Sequence, residues 1–206
     1  MKNISVLLFL LITLALNAQN NKTSGLNARQ FHKYWKVESE SPDYKVTFLG
    51  DTVEILSPKG LTLWRKEKMS GKVTIEYDAC VVVEVEGDRL SDLNCFWMAS
   101  DPQYPDNIWK REKWRSGIFL NCYSLQLYYM GYGGNHNSTT RFRRYDGNEA
   151  AITNAKARPA ILKEYTDADH LLEANKWYHI KITNENNRVS SVSYTHLRAH
   201  ETTLHL

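Results

Sequence analysis

The sequence predicts an all-β protein, a sandwich or barrel of short antiparallel strands. Three observations predict it. Apolar and polar residues alternate with period two along most of the chain, turn residues separate the alternating runs, and helical periodicity is scarce. The longest run, Lys72–Val85, places Val73, Ile75, Tyr77, Ala79, Val81 and Val83 on one face. Thr74, Glu76, Asp78, Cys80 and Glu84 fall on the other, so one face is core and the opposite one is wet. Many short strands joined by turns build a sandwich or a barrel.

Taken in order, the chain opens on Lys2 and an apolar run, Ile4–Leu16, interrupted only by Ser5 and Thr13 and followed by Asn17-Ala18-Gln19. A single cation, a short apolar stretch and a small residue at the cleavage position read as a secretory signal peptide over residues 1–18. The run is shorter than the roughly 20 residues that span a bilayer, so the expected product is a soluble protein, periplasmic or secreted, with no membrane insertion after cleavage. Residues 19–30 are a polar lead-in, and the β-domain is expected over 31–191. Its strands are expected at Lys45–Phe48, Thr52–Leu56, Leu61–Arg65, Lys72–Val85, Leu93–Ala99, Gly117–Tyr123, Leu125–Met130, Thr139–Tyr145 and Trp177–Thr183. One short helical turn fits Asp167–Ala174, capped by Thr166 or Asp167.

The last segment, 192–206, is set apart. Val192–Thr202 (VSYTHLRAHET) resembles a translated sequencing adapter, and such scars are left out of fold reasoning. On that reading the domain is C-terminally truncated in mid-hairpin, with at least one further strand expected in the parent protein. His196, His200 and Glu201 do not make a zinc motif, because Leu197 stands where H-E-x-x-H needs its glutamate. No metal or cofactor is expected.

About 170 residues between leader and tail are enough for one domain with one core. The formal charge of +3 becomes +2 without Lys2, since Arg198 and Glu201 of the tail cancel. Near-neutrality argues against a nucleic-acid partner, which calls for a concentrated basic face. Cys80, Cys95 and Cys122 are an odd set, read as buried thiols in strands, with a Cys95–Cys122 bridge left open.

The densest set of chemically able residues is Tyr128–Asp146. Gly131, Gly133 and Gly134 allow a sharp loop that presents Asn135, His136 and Asn137, and the outgoing strand puts Thr139, Arg141, Arg143 and Tyr145 on one face with Phe142 on the other. Arginine grips a carboxylate through two parallel hydrogen bonds, and tyrosine or histidine moves protons. His136, Tyr132, Tyr145 and Arg141 are therefore the catalytic candidates, and Asn135, Asn137 and Arg143 bind substrate beside them. The competing reading is a hairpin turn flanked by surface arginines. Trp97, Trp109 and Tyr128 are candidate sugar platforms, Trp109 above all because it lies in a loop. Glu76 and Asp78, on the wet face of one strand, are the candidate carboxylates of a glycosidase. Asp88, Asp92 and Asn94 match no calcium-loop motif.

Three segments, Arg89–Pro102 (RLSDLNCFWMASDP), Gly131–Tyr145 (GYGGNHNSTTRFRRY) and Asn175–Ile182 (NKWYHIKI), resemble an uncharacterised domain family of Bacteroidetes. That family is similar to concanavalin A-like jelly rolls found with polysaccharide-degradation genes, including rhamnogalacturonan clusters. The resemblance spans Phe31–Val189 and implies a jelly-roll sandwich of two antiparallel sheets with a face able to hold an oligosaccharide. The expected function is binding or processing of an acidic, pectin-like polysaccharide, as a lyase, with a non-catalytic carbohydrate-binding module as the alternative and a glycosidase using Glu76 and Asp78 as a second alternative.

Overall fold

The computed structural model describes residues 6–11, 28–185, 188–195 and 198–205, with side chains over 28–185 and 189–193. The strands are β1 (Val6–Leu11), β2 (Trp35–Ser39), β3 (Lys45–Leu49), β4 (Thr52–Ser57), β5 (Leu61–Arg65), β6 (Val73–Val82) and β7 (Leu93–Ser100). They continue as β8 (Gln126–Gly133), β9 (Thr139–Asp146), β10 (Ile161–Tyr165), β11 (Trp177–Glu185), β12 (Arg188–Thr195) and β13 (Arg198–His205). One helix of two turns, α1 (Ala28–Tyr34), precedes β2. The expected all-β sandwich is what forms. A seven-stranded sheet, ordered β13-β12-β11-β6-β1-β4-β3, faces a four-stranded sheet, β10-β9-β8-β7, and β2 pairs with β5 as a separate ribbon.

The period of two decides what each face does. Tyr77, Ala79 and Val81 of β6 and Tyr178, Ile180 and Ile182 of β11 meet Leu93 and Trp97 of β7, Tyr128 and Tyr132 of β8 and Phe142 of β9. This is the core between the sheets. Trp97 is at its centre, stacked on Phe142 at 5.6 Å and on Tyr128 at 5.9 Å. The opposite face of the four-stranded sheet carries a second apolar cluster in which Leu127, Tyr129 and Tyr145 pack with Trp64, Cys122, Tyr123 and Leu125. A third cluster, around Phe31, Val53 and Ile55, ties α1 to the strands of the first quarter of the chain. Among the described residues no helix is long and apolar enough to cross a membrane.

Several expectations are corrected here. Gly117–Tyr123 does not extend as a strand: Phe119–Ser124 is a 3-10 turn whose Cys122, Tyr123 and Ser124 are buried. Its apolar residues face the second cluster from above the sheet, and periodicity over so few residues does not separate the two conformations. The helical turn expected at Asp167–Ala174 contracts to Ala168–His170, where Asp167 makes no capping bond and instead accepts from His170 Nδ1 at 2.6 Å. The ribbon strand β2 and the edge strand β10 are not among the strands expected: β10 (ILKEY) carries no alternation, while β2 (WKVES) does alternate but over only five residues. All three cysteines are free.

Both ends join the large sheet. Val6–Leu11, inside the stretch read as a leader, pairs on one side with β4 and on the other with β6. Residues 192–195 and 198–205, inside the stretch read as a tail, extend the sheet beyond β11, so its hairpin is closed by β12 and β12 is itself paired with β13. His196 and Leu197 lie outside the described residues.

Candidate functional site

The outer face of the four-stranded sheet, the ribbon β2–β5 and the segment 105–120 line most of a cleft of about 1330 Å³, which continues to Ile75 and Glu76 of β6 and Ile182 and Asn184 of β11. Its floor is ordered by strand register. Asn94, Gly131, Arg141 and Glu164 lie side by side across β7, β8, β9 and β10. The next row on the same face is Phe96, Tyr129 and Arg143, and the next pairs Leu127 with Tyr145.

Gly131 is what gives the floor its shape. A Cβ built at this position would fall 1.9 Å from Tyr129 Oη. Glycine thus leaves a niche into which the Tyr129 ring leans along its own strand, and its hydroxyl reaches across to donate to Asn94 Oδ1 at 3.0 Å. Burial first, then Asp92 and Tyr123, push the Tyr129 phenol well above the ordinary range, while Arg143 and Arg141 pull it partly back. Near neutral pH this hydroxyl is a proton-bearing donor. The arginines are braced at their far ends: Arg141 Nε pairs with Glu164, and Arg143 Nη1 donates to the Pro159 carbonyl. On the rim, Arg89 is paired with Asp92.

The far wall is aromatic. Phe96 is its hub, stacked on Trp64 at 5.9 Å and on Phe119 at 6.1 Å, and touching Tyr129 at 5.5 Å. Trp64 is held from behind by Arg115, whose guanidinium is 5.8 Å from the ring. Arg115 is itself fully buried and bonded to Glu38 Oε1 at 2.6 Å and Oε2 at 3.2 Å. This ion pair fixes the short helix α2 (Glu112–Arg115) to β2 and so sets the height of the wall.

The sequence candidates fall into three groups. Arg141, Arg143, Tyr145, Asn135 and Trp109 line the cleft together. Tyr145 does so from beneath: it is 1% exposed, and burial holds its phenol far above the ordinary range. Of the two ways Tyr145 is expected to move a proton, as base or as acid, this rules against the base, since a buried neutral phenol does not release its proton to become one. Trp109 is half-buried with Lys36 Nζ 5.4 Å from its ring centre.

A second group points the other way. Tyr132, Trp97 and Tyr128 all face the core between the sheets, each less than a tenth exposed. Tyr132 is one residue out of phase with Gly131, so the pleat turns it away from Arg141. Trp97 and Tyr128 are packing residues rather than sugar platforms.

In the third group only Glu76 touches the cleft lining, on its β6 side, and none joins the arginine face. His136 is exposed at the tip of a turn in which Asn135, His136 and Asn137 all take positive φ, 53°, 59° and 57°. Asn137 does not face a ligand. Its amide accepts from Leu172 N at 2.8 Å and donates to Leu172 O at 2.9 Å, which pins the turn to the following segment. Gly133, at φ 64°, lets Leu172 approach, as a Cβ there would come within 2.4 Å of Leu172 Cδ1. Glu76 and Asp78 share His179, at 3.2 Å from its Nε2 and 2.8 Å from its Nδ1. Burial would raise the Glu76 carboxyl, but His179 and Lys181 outweigh it and hold the group below its usual value. A glycosidase acid needs the reverse shift.

Sequence reasoning passed over Tyr129, Asn94, Phe96 and Trp64. Tyr129 had a legible signal: it shares the parity of Gly131 and, across the turn, of Arg141 and Arg143. Trp64 had none, because only tertiary packing brings the β2–β5 ribbon over the sheet. A family model described as a domain of unknown function, DUF6250, matches residues 55–200, which include β5 to β12 and every strand of the cleft floor. No curated protein and no solved structure matches.

Proposed function

We propose that this chain, which belongs to the DUF6250 domain family, binds an acidic polysaccharide in the cleft. The observation that carries the reading is the pair Arg141 and Arg143 on adjacent rows of one strand face, beside the hydroxyl of Tyr129 and the amide of Asn94. Each guanidinium is anchored through one nitrogen and keeps further N–H donors for a carboxylate. The aromatic wall opposite supplies apolar surface for sugar C–H faces. The resemblance to concanavalin A-like domains of polysaccharide-degradation clusters, and the leader-like composition of Ile4–Leu16, support a glycan ligand met in the periplasm or outside the cell.

Binding is the role this geometry supports best. In a lyase, Arg141 would neutralise the uronate carboxylate and acidify C5–H, and a base would take that proton. Tyr129 is poised as a donor, Asp92 is paired with Arg89, and His136 is outside the cleft lining. The experiment is isothermal titration of the full chain with polygalacturonate oligomers and with neutral oligosaccharides of equal length. Binding confined to the acidic series is expected, weakened about 10- to 100-fold in Arg141→Met/Arg143→Met, as for loss of one or two charge-assisted contacts. Equal affinity for both series, or an unchanged double variant, would sink the proposal. Parallel incubations followed at the absorbance of unsaturated uronates decide the enzymatic reading: new absorbance would make the domain a lyase.

A further inference from the structure

Resting on that reading of the cleft, we propose that Arg158 binds the ligand and forms, with Arg143, a second anion subsite, so that the cleft grips two free carboxylates of one ligand at once. Nothing in the local sequence marks Arg158. It lies on neither the glycine-rich loop nor a floor strand, and it reaches the cleft from the connection between β9 and β10.

Pro159 sets its position. A residue before proline is held extended, and Arg158 has φ −65° and ψ 146°. Just ahead of it the turn Ala155–Ala157 is capped by Asn154, whose side chain accepts from Lys156 N at 3.0 Å. Pro159 is buried, and its carbonyl accepts from Arg143 Nη1. Arg143 is therefore tied to the residue next to Arg158, and Ile161, two residues further on, pairs with Arg143 in the sheet. The Arg158 guanidinium is 5.8 Å from the ring centre of Tyr123, and that ring is 4.8 Å from Tyr145, which follows Arg143 on the same face of β9.

Ion pairing separates these two arginines from the others that line the cleft. Arg65 pairs with Glu67, Arg89 with Asp92 and Arg141 with Glu164. Arg143 and Arg158 line the same cleft, and among the described residues neither has a carboxylate within ion-pair distance. One arginine resting on a surface ring is ordinary. Two neighbouring guanidiniums without counter-charge in one concave corner repel each other, and an anion held between them removes that repulsion. Both keep N–H donors for it. Arg143 commits one nitrogen to the Pro159 carbonyl, and Arg158 presents its edge while its face lies toward Tyr123. Arg141 is one pleat repeat away, about 7 Å along β9, and takes the other carboxylate. Esterifying either acid removes its charge and leaves its shape, so the cleft distinguishes free from esterified units.

The test uses the full chain, Arg158→Met and Arg158→Lys. Three uronate oligomers of equal length are titrated calorimetrically: one with every carboxylate free, one with a single free carboxylate and the rest methyl-esterified, and one fully esterified. The wild type is expected to bind the free oligomer about tenfold more tightly than the single-acid one, as for one further charge-assisted contact. Arg158→Met should cut that ratio to about twofold and leave the melting temperature unchanged, since the residue is exposed. Arg158→Lys keeps the charge and loses the planar fork, so its ratio should fall between the two. A wild type that gains nothing from further free carboxylates, or a ratio unchanged in Arg158→Met, overturns the second subsite and leaves the acidic-glycan reading standing. Binding of the fully esterified oligomer as tightly as the free one overturns both.

Discussion

Gly131→Ala is a small change aimed at the point where the cleft floor is tightest. The new methyl would fall 1.9 Å from Tyr129 Oη and 2.4 Å from Cζ, so the ring has to swing away from the niche. Swinging breaks the 3.0 Å bond to Asn94 and disturbs the contacts of Tyr129 with Phe96 and Phe119. Overpacking at about 1–3 kcal/mol and the lost hydrogen bond at about 1 kcal/mol give about 2–4 kcal/mol in all. For a domain of this size that lowers the melting temperature by about 4–16 °C. The decisive measurement is a double-mutant cycle by chemical denaturation. In a Tyr129→Ala background the added methyl meets no obstacle, so the Gly131→Ala penalty should vanish and the coupling energy should reach about 2 kcal/mol. If the two substitutions add to within about 0.5 kcal/mol, Tyr129 does not occupy the niche and the described floor is wrong.

Three further outcomes are expected. Trp97→Ala should cost about 3–5 kcal/mol of stability, with glycan affinity of the folded fraction unchanged, because the ring belongs to the core between the sheets. Calorimetry below the melting transition checks it, and selective loss of affinity at full stability would return Trp97 to the binding surface. Glu38→Gln leaves the Arg115 charge buried without its partner and should cost about 3–5 kcal/mol, seen as a lower denaturation midpoint. The thiols should resist alkylation in the folded state. Burial pushes Cys95 up to about 11 and Cys122 up to about 12, and raises Cys80 as well. At pH 8 the reactive thiolate is therefore scarce, and labelling by a thiol reagent should wait for denaturant.

How much of the site was legible depends on whether one strand or two layers decide a residue's role. Within β9, alternation alone separates Arg141, Arg143 and Tyr145 from Phe142, and the structure keeps that separation. The same rule applied to β8 turns Tyr132 inward and Tyr129 toward the arginines. Of the two tyrosines expected at the site, Tyr145 shares the arginines' phase and Tyr132 has the opposite one. Asn137 and His136 look like ligand groups because Asn and Gly loops serve both turns and sites. Only the long-range bond to Leu172 reveals Asn137 as a structural clamp.

The sequence by itself determined the all-β class and which residues of each long strand share a face, because side-chain direction in a strand has a fixed period. It also determined that three glycines, Gly131, Gly133 and Gly134, lead into the Asn135–Asn137 turn. The tertiary structure alone decided that one face of β8 and β9 is a core and the other a cleft, since both carry aromatic residues and either could be covered. It alone brought Trp64 and Arg115 over Phe96, joining residues from separate stretches of the chain through packing that no local pattern encodes.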